Sequence, residues 1–371
     1  MIATVAAATI LGARGHPVTV EVHVSTHGLP GFTMLGLPDE SCREARDRVR
    51  AAVISSGIAW PDKKIVVNLA PPQFRKVGSG LDVAIAMACL VAFEIVPRDA
   101  VDGIAFAGEL GLDGSIRKVP GVVPMVGVRP ELDWVVPADA VNEAMAAGRG
   151  TIRGVDRLER LVAALTRADD WPAVVAAPSS FVEQPTHDLA DVKGQHEARL
   201  ALEVAAAGGH HLLFVGAPGA GKTMLARRLP GLLPDLDPDT ALQATMVHSA
   251  AGVALPPSGL LRRPPFRSPH HTSSVGSLVG GGSHQFRPGE VSLAHGGVLF
   301  LDEMGQFAPG ALDGLREAIE TGQIMVGRVE QIRVAMPARF QLIGAKNPCP
   351  CGAGAPVECQ CDERVRHRYM S

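Results

Sequence analysis

Gly216-Ala217-Pro218-Gly219-Ala220-Gly221-Lys222-Thr223 fits the pattern G-x-x-x-x-G-K-[ST] without a gap. His211-Leu212-Leu213-Phe214-Val215 before it reads as a short buried strand, and Met224-Leu225-Ala226-Arg227-Arg228-Leu229 after it continues as a helix. The chemistry needs that order. Glycines let successive backbone N–H groups close around an anion, and the helix that follows turns its positive end toward it. The pattern predicts that Lys222 reaches the β- and γ-phosphates of a nucleoside triphosphate such as ATP, while the Thr223 hydroxyl ligates Mg²⁺. A glycine-rich turn that merely contained Lys-Thr would need neither the strand nor the helix.

Two further strands lead into polar residues. Gly297-Val298-Leu299-Phe300-Leu301 runs into Asp302-Glu303, the pattern of a buried strand beside the phosphate loop. Asp302 is placed to hold the magnesium shell, and Glu303 to polarise an attacking water. Alone, such a pair is an ordinary solvated loop end; the loop upstream favours the catalytic reading. Phe340-Gln341-Leu342-Ile343-Gly344-Ala345 ends in Lys346-Asn347-Pro348. Asn347 there either senses the γ-phosphate or starts a turn before proline; the other two motifs favour the sensor.

With 371 residues the chain is long enough for two or three domains, and 46% apolar residues exclude a mainly disordered protein. A net charge of −3 gives no global nucleic-acid signature, so any such binding must come from local basic patches. No stretch is apolar enough for a bilayer span, so no membrane partner is expected. Met1 to Ile10 lacks a basic start and reads as a first strand rather than a signal peptide. Six cysteines, four of them crowded near the C-terminus, suggest a local site rather than a disulfide framework, and the expected location is the cytoplasm.

Residues 1–168 read as one α+β unit. Val18, Val20, Val22 and Val24 alternate with Thr19, Glu21 and His23, as in a half-buried strand. Asp39 to Ser56 reads as a helix closed by Gly57, Ile65 to Leu69 as a strand, and Leu81 to Ala92 as an apolar helix. Residues 169–187 lack any period and suit a linker. From 188 to 371 strands and helices alternate, as in a parallel-sheet α/β domain.

Asp191-Val192-Lys193-Gly194-Gln195, the phosphate loop, Phe266-Arg267-Ser268-Pro269-His270-His271-Thr272, Leu278-Val279-Gly280-Gly281-Gly282, Arg287 to His295, Leu301-Asp302-Glu303 and Asn347-Pro348-Cys349-Pro350-Cys351-Gly352 occur in this order. The set resembles the magnesium-chelatase-like AAA+ ATPases of the YifB/ComM group, from the N-terminus to about Arg368. The resemblance implies a P-loop AAA+ core in which Leu189, Val192 and Gln195 lie near the adenine. It also implies a homo-oligomeric ring, a hexamer, and ATP-driven branch migration or helicase action on single-stranded or branched DNA during uptake of transforming DNA. An assembly or chaperone subunit acting on a protein partner is the alternative. The family pattern continues past Tyr369 into a trans-acting arginine and a helical lid. Neither is located in the sequence, Arg364, Arg366 and Arg368 being misplaced for the role, so nucleotide binding with weakened hydrolysis is expected.

The same resemblance gives the N-terminal unit a Lon-protease-like (S5-like) fold. A Lon-like site needs a lysine to assist serine attack. Carried across, the lysine falls at Val123 and the serine near Gly80, with Ser79 one residue off register and Lys118 before the turn. The domain is therefore expected to be non-proteolytic, supporting ring assembly or guiding DNA.

Two basic elements are candidates for DNA contact: Arg262, Arg263 and Arg267 ahead of His270-His271 and Gly280 to Gly282, and a hairpin over Ile324 to Val334 carrying Arg328 and Arg333. For both, the plain alternative is a solvated loop and hairpin. Cys349-x-Cys351 and Cys359-x-Cys361 suggest either a structural Cys₄ zinc site or a metal-free loop. Cys42 and Cys89 fall within helices and read as small core residues.

Overall fold

Val18, Val20, Val22 and Val24 are all buried, while Thr19, Glu21 and His23 face outward, so the alternation in sequence is the pleat of a sheet covered on its valine face. The computed structural model describes residues 1–173, 187–282, 286–329, 332–349, 351 and 359–364. The segment read as a linker lies largely outside the described residues.

The N-terminal strands are β1 (Ile2–Leu11), β2 (Arg14–Ser25), β3 (Gly31–Leu35), β4 (Lys64–Ala70), β5 (Ile104–Phe106), β6 (Glu109–Leu110), β7 (Ile116–Arg117), β8 (Asp133–Pro137) and β9 (Ile152–Val155). Seven of them form one mixed sheet in the order β3-β4-β2-β1-β5-β8-β9, and β6 pairs with β7 in a short ribbon. The β1–β2 hairpin is antiparallel, Ile2 opposite His23 through Leu11 opposite Arg14, whereas β5, β8 and β9 run parallel.

Helices α1 (Glu40–Ser55), α2 (Asp82–Ala92), α3 (Val122–Gly127), α4 (Val141–Met145) and α5 (Leu158–Leu165) cover both faces. α1, α2 and α5 pack on the valine face, and α3 and α4 on the other. Asp39 caps α1, its carboxylate accepting the Cys42 N–H at 2.7 Å. All eleven residues of α2 are buried, including Asp82 at its first turn. That carboxylate is held by the Arg48 guanidinium at 2.7 and 3.0 Å and by the Leu110 N–H at 3.2 Å. A buried charge needs such partners.

The second unit contains α6 (His196–Gly208), β10 (Leu212–Val215), α7 (Lys222–Ala226), α8 (Pro238–Ala251), β11 (Phe266–Arg267), α9 (Val275–Val279), β12 (Gly280–Gly281), β13 (Arg287–Pro288), α10 (Glu290–Leu293), β14 (Val298–Leu301), α11 (Pro309–Thr321), β15 (Gln323–Val329), β16 (Ile332–Pro337) and β17 (Gln341–Lys346). Four strands form a parallel sheet, β10-β17-β14-β11. α6 and α7 pack on one face, and α9, α10 and α11 on the other. The molecule is thus α/β throughout, a mixed-sheet unit followed by a parallel-sheet P-loop unit.

One expectation needs correction. The strand before the phosphate loop was expected to be buried, yet Leu213 and Val215 are about half exposed, at 47% and 51%. Among the described residues β10 pairs only with β17, so it is an edge strand, and Phe214 is its buried residue.

The two units share a core through α8. Ala13 of the β1–β2 turn packs with Val247, Ala250 and Leu293, and Val123 with Ala244, Leu255 and Leu261. The Gly121 N–H donates to the Ser249 carbonyl at 2.8 Å, and the Val123 N–H to its hydroxyl at 3.3 Å. Gly12, at φ +63°, lies under Val334 and Met336 of β16, whose side chains would meet a Cβ there at 2.8 and 2.9 Å.

Candidate functional site

Parallel strands deliver their C-terminal ends to one edge, and that edge is where open α/β sheets bind ligands. The pairings Val215 with Lys346 and Leu301 with Gly344 set β10, β17 and β14 level, so the phosphate loop, Asp302-Glu303 and Lys346-Asn347 converge. Together Pro218 to Thr223, Asp302, Glu303, Ala345, Lys346 and Asn347 line a cavity of ≈ 250 Å³.

The loop needs glycine where its backbone turns left-handed, at Gly219 (φ +78°) and Gly221 (φ +85°). Lys222 then curls into the loop. Its ammonium donates to the Gly216 and Ala217 carbonyls at 2.7 and 3.0 Å and to Asn347 Oδ1 at 3.1 Å. A phosphate oxygen offers that ammonium a charged acceptor in place of neutral carbonyls, and charge-assisted bonds are the stronger kind.

Thr223 Oγ1 donates to Asp302 Oδ2 at 2.7 Å. A hydroxyl and a carboxylate in contact are hard oxygen donors of the type Mg²⁺ takes beside a phosphate, so the residues present fit that ion. The other Asp302 oxygen accepts the Glu303 N–H at 3.0 Å. Glu303 itself adopts φ +51°, an uncommon conformation for a residue with a side chain, and one that turns it off the line of β14. Gln195 is also left-handed, at φ +54°, and its amide donates to the Ala220 carbonyl at 3.2 Å, tying the segment before α6 to the phosphate loop. Leu189 and Val192 are buried in the cluster with Leu202, Phe214 and Leu225 rather than lining the cavity.

Sequence reasoning left one neighbour of this site unassigned. His271 Nδ1 lies 3.2 Å from Glu303 Oε2. It stands just beyond β11, and the pairing of β11 with β14 that brings it to Glu303 carries no signal in the sequence. His270 Nδ1 meets Thr272 Oγ1 at 2.8 Å, and the two histidine rings pack at 4.1 Å.

Arg267, a candidate for DNA contact, is instead committed to Glu290, which it grips through two bonds of 2.7 Å. Both partners are half-buried, Arg267 on β11 and Glu290 on α10, which favours this pairing over solvent. Arg262 and Arg263 are exposed. Arg328 and Arg333 face each other in the β15–β16 register, as the hairpin reading expected, but their side chains lie outside the described residues, as do Arg366 and Arg368. Gly280 to Gly282 include β12, which pairs with β13; at Gly289 a Cβ would collide with the Gly280 backbone.

The four C-terminal cysteines do converge, their sulfurs lying within 4.8 Å of one another. Cys349 Sγ is 3.0 Å from Cys351 Sγ, which is 3.7 Å from Cys359 Sγ. Four thiolates around a tetrahedral zinc at ~2.3 Å stand about 3.8 Å apart, so the donor set and its spacing fit Zn²⁺.

In the N-terminal unit the residues of a Ser/Lys site are not assembled. Val123 is fully buried beneath α8. Ser79 donates its hydroxyl to Glu109, and Lys118 pairs with Glu143 at 3.1 Å, so each is engaged with a different carboxylate. Lys76 is buried, its ammonium donating to the Pro71 and Phe74 carbonyls.

Comparison with known proteins agrees with this architecture. The family model for magnesium chelatase, subunit ChlI, matches residues 188–371, and a second ChlI model matches residues 20–138. An uncharacterised protein of Mycobacterium tuberculosis (strain ATCC 25618 / H37Rv) is 44% identical over 364 residues, 97% of this chain and 72% of that one. Uncharacterised protein YifB of Escherichia coli (strain K12) is 43% identical over 366 residues, with 97% and 71% covered. Competence protein ComM of Haemophilus influenzae (strain ATCC 51907 / DSM 11121 / KW20 / Rd) is 39% identical over 367 residues, again with 97% and 71% covered. The chain belongs to the magnesium-chelatase-like family, in its YifB/ComM group.

Proposed function

We propose that the chain binds ATP with Mg²⁺ and couples ATP hydrolysis to the remodelling of single-stranded or branched DNA, as a cytoplasmic homo-oligomeric ring. The observation that carries the nucleotide half is the contact of Thr223 with Asp302 beside Lys222 and Asn347, all at one sheet edge. The amides of Gly216 to Thr223 wrap the phosphates, and Lys222 neutralises charge on the β- and γ-oxygens. Thr223 and Asp302 would hold Mg²⁺, which supplies charge neutralisation between those oxygens. Glu303 takes a proton from water as the water oxygen bonds to the γ-phosphorus, Asn347 orients that water, and the bond to the β-phosphate oxygen breaks to release ADP and phosphate. Gln195, with Val192 behind it, borders the base.

Family membership and the competence role named for ComM support the DNA half of the reading. The exposed Arg262 and Arg263 between the two ATPase motifs supply local positive charge. We further propose that the four cysteines hold a structural zinc, and that the N-terminal unit, residues 1–168, serves assembly or substrate guidance.

ATP turnover with and without a four-way DNA junction, beside calorimetric nucleotide titration, tests the proposal. Turnover stimulated by the junction is expected, with Glu303→Gln lowering it by about 10²-fold or more while ATP still binds. No heat with millimolar ATP would refute the nucleotide site. Stimulation by a protein partner alone would transfer the activity to the chaperone reading.

A further inference from the structure

We infer that Cys349 joins the four-cysteine cluster to Asn347, so that zinc at the cysteines and the γ-phosphate of ATP in the cavity each strengthen binding of the other; this rests on the zinc and nucleotide readings given above. Three attachments follow one another at the end of β17. The Lys346 carbonyl accepts the Gly216 N–H at 3.3 Å, which pins the strand to the first glycine of the phosphate loop. Asn347 Oδ1 accepts from the Lys222 ammonium at 3.1 Å inside the cavity. Cys349 then turns into the protein, 2% exposed, its sulfur 3.0 Å from that of Cys351.

The four cysteines are not equivalent. Cys351 is exposed and Cys359 and Cys361 are half-buried, so of the four Cys349 alone is buried in the body of the protein. A metal held by all four is therefore fixed to the fold through the residue two places beyond Asn347. Two residues reach at most about 7 Å. The residue between them is Pro348, whose ring locks its φ. Such a link is too short and too stiff to absorb a shift of Cys349 without passing it to Asn347.

What the link controls is the aim of the Asn347 amide. In the structure Lys222 holds that amide. A triphosphate draws the ammonium onto its own charged oxygens, which leaves the backbone to keep Asn347 directed into the cavity. Cys349 tethered through a metal fixes this backbone, and untethered thiols fix it less. Ordering done before ATP arrives need not be done by ATP, so affinity rises. Linkage makes the effect reciprocal: ATP raises zinc affinity by the same factor. ADP, with no group at the γ position, gains nothing from an aimed Asn347.

The test measures metal and nucleotide binding by the full chain. Zinc content is read by mass spectrometry, and zinc affinity by competition with a chromophoric chelator, with and without the Mg²⁺ complex of the β,γ-imido analogue of ATP. Calorimetry gives nucleotide affinity for zinc-loaded and zinc-stripped chain. The analogue is expected to tighten zinc about tenfold, zinc to tighten the analogue by the same factor, and ADP to do neither. Asn347→Ala keeps its zinc and loses the coupling. Where the stripped chain does not stay folded, cobalt(II) in the site decides, its thiolate absorption bands shifting with the analogue and not with ADP. Equal zinc affinity with and without the analogue, unshifted cobalt bands, or a coupling that ADP or Asn347→Ala reproduces in full overturns the inference. A chain that takes up no zinc removes the zinc reading, and one that binds zinc but not the analogue removes the nucleotide reading; the inference falls with either.

Discussion

Val123 is a single position where apolar packing leaves no room for a charge. A Lon-like pattern asks for a lysine there, and the structure instead seals the position against Ala244, Leu255 and Leu261. Val123→Lys would bury an ammonium in an apolar cluster where carboxylate partners are engaged elsewhere. Its expected effect is a loss of roughly 3 kcal/mol in urea unfolding, with no gain of casein cleavage. The same scale explains which site residues were legible. The meeting of Lys222, Thr223 and Asp302 at one edge could be expected from sequence because each stands in a local pattern, a loop before a helix and acids after an apolar strand. His271 and Arg267 could not. The contact of His271 with Glu303 exists only through the pairing of β11 with β14, and Arg267 finds Glu290 across an intervening segment that carries no periodic signal.

α8 is the element that joins the two units, and its ends are written plainly in the sequence. Asp237 accepts the Asp239 and Thr240 N–H groups at 3.1 and 3.0 Å, Pro238 opens the first turn, and Gly252 closes the helix at φ +72°. The alternation of β2 and the capped helix after Asp39 were legible for the same reason, since period and caps are local. The partners of α8 were not. Its small residues Ala244, Ala250 and Ser249 carry no amphipathic stripe, because they meet apolar surface from both units at once. Asp237→Ala is expected to cost about 1 kcal/mol of stability by thermal and urea unfolding. ATP affinity should not change, because Asp237 does not line the cavity; a parallel loss of ATP affinity would show that α8 carries strain between the units.

At the scale of the whole molecule, two buried histidines make stability depend on pH. His248 of α8 donates Nδ1–H to the Ala244 carbonyl at 2.9 Å, and burial presses its pKa from 6.5 to about 4. His295, after α10, accepts the Arg339 N–H on Nδ1 at 3.1 Å; burial, then the Arg339 charge, takes it to about 4 as well. The unfolded chain accepts these protons near 6.5, so between 6.5 and 4 it binds more protons than the folded chain. The stability the two groups contribute is present above 6.5 and lost as the pH falls toward 4. Asp82 works the other way. Burial, against the pull of Arg48, raises its carboxyl from 3.8 to about 6, so the folded chain takes up that proton first and regains stability as the pH falls from 6 toward 3.8. From pH 7.5 to 5.5 the two histidines together forfeit about 3 kcal/mol and Asp82 returns about 1, a net loss of about 2 kcal/mol for these groups. Urea midpoints across that range should therefore decline with acid. His295→Asn keeps an acceptor for the Arg339 N–H and cannot charge, so it should remove roughly 70% of the decline that these groups cause. An equally steep decline in that variant would mean the acid sensitivity lies in other groups.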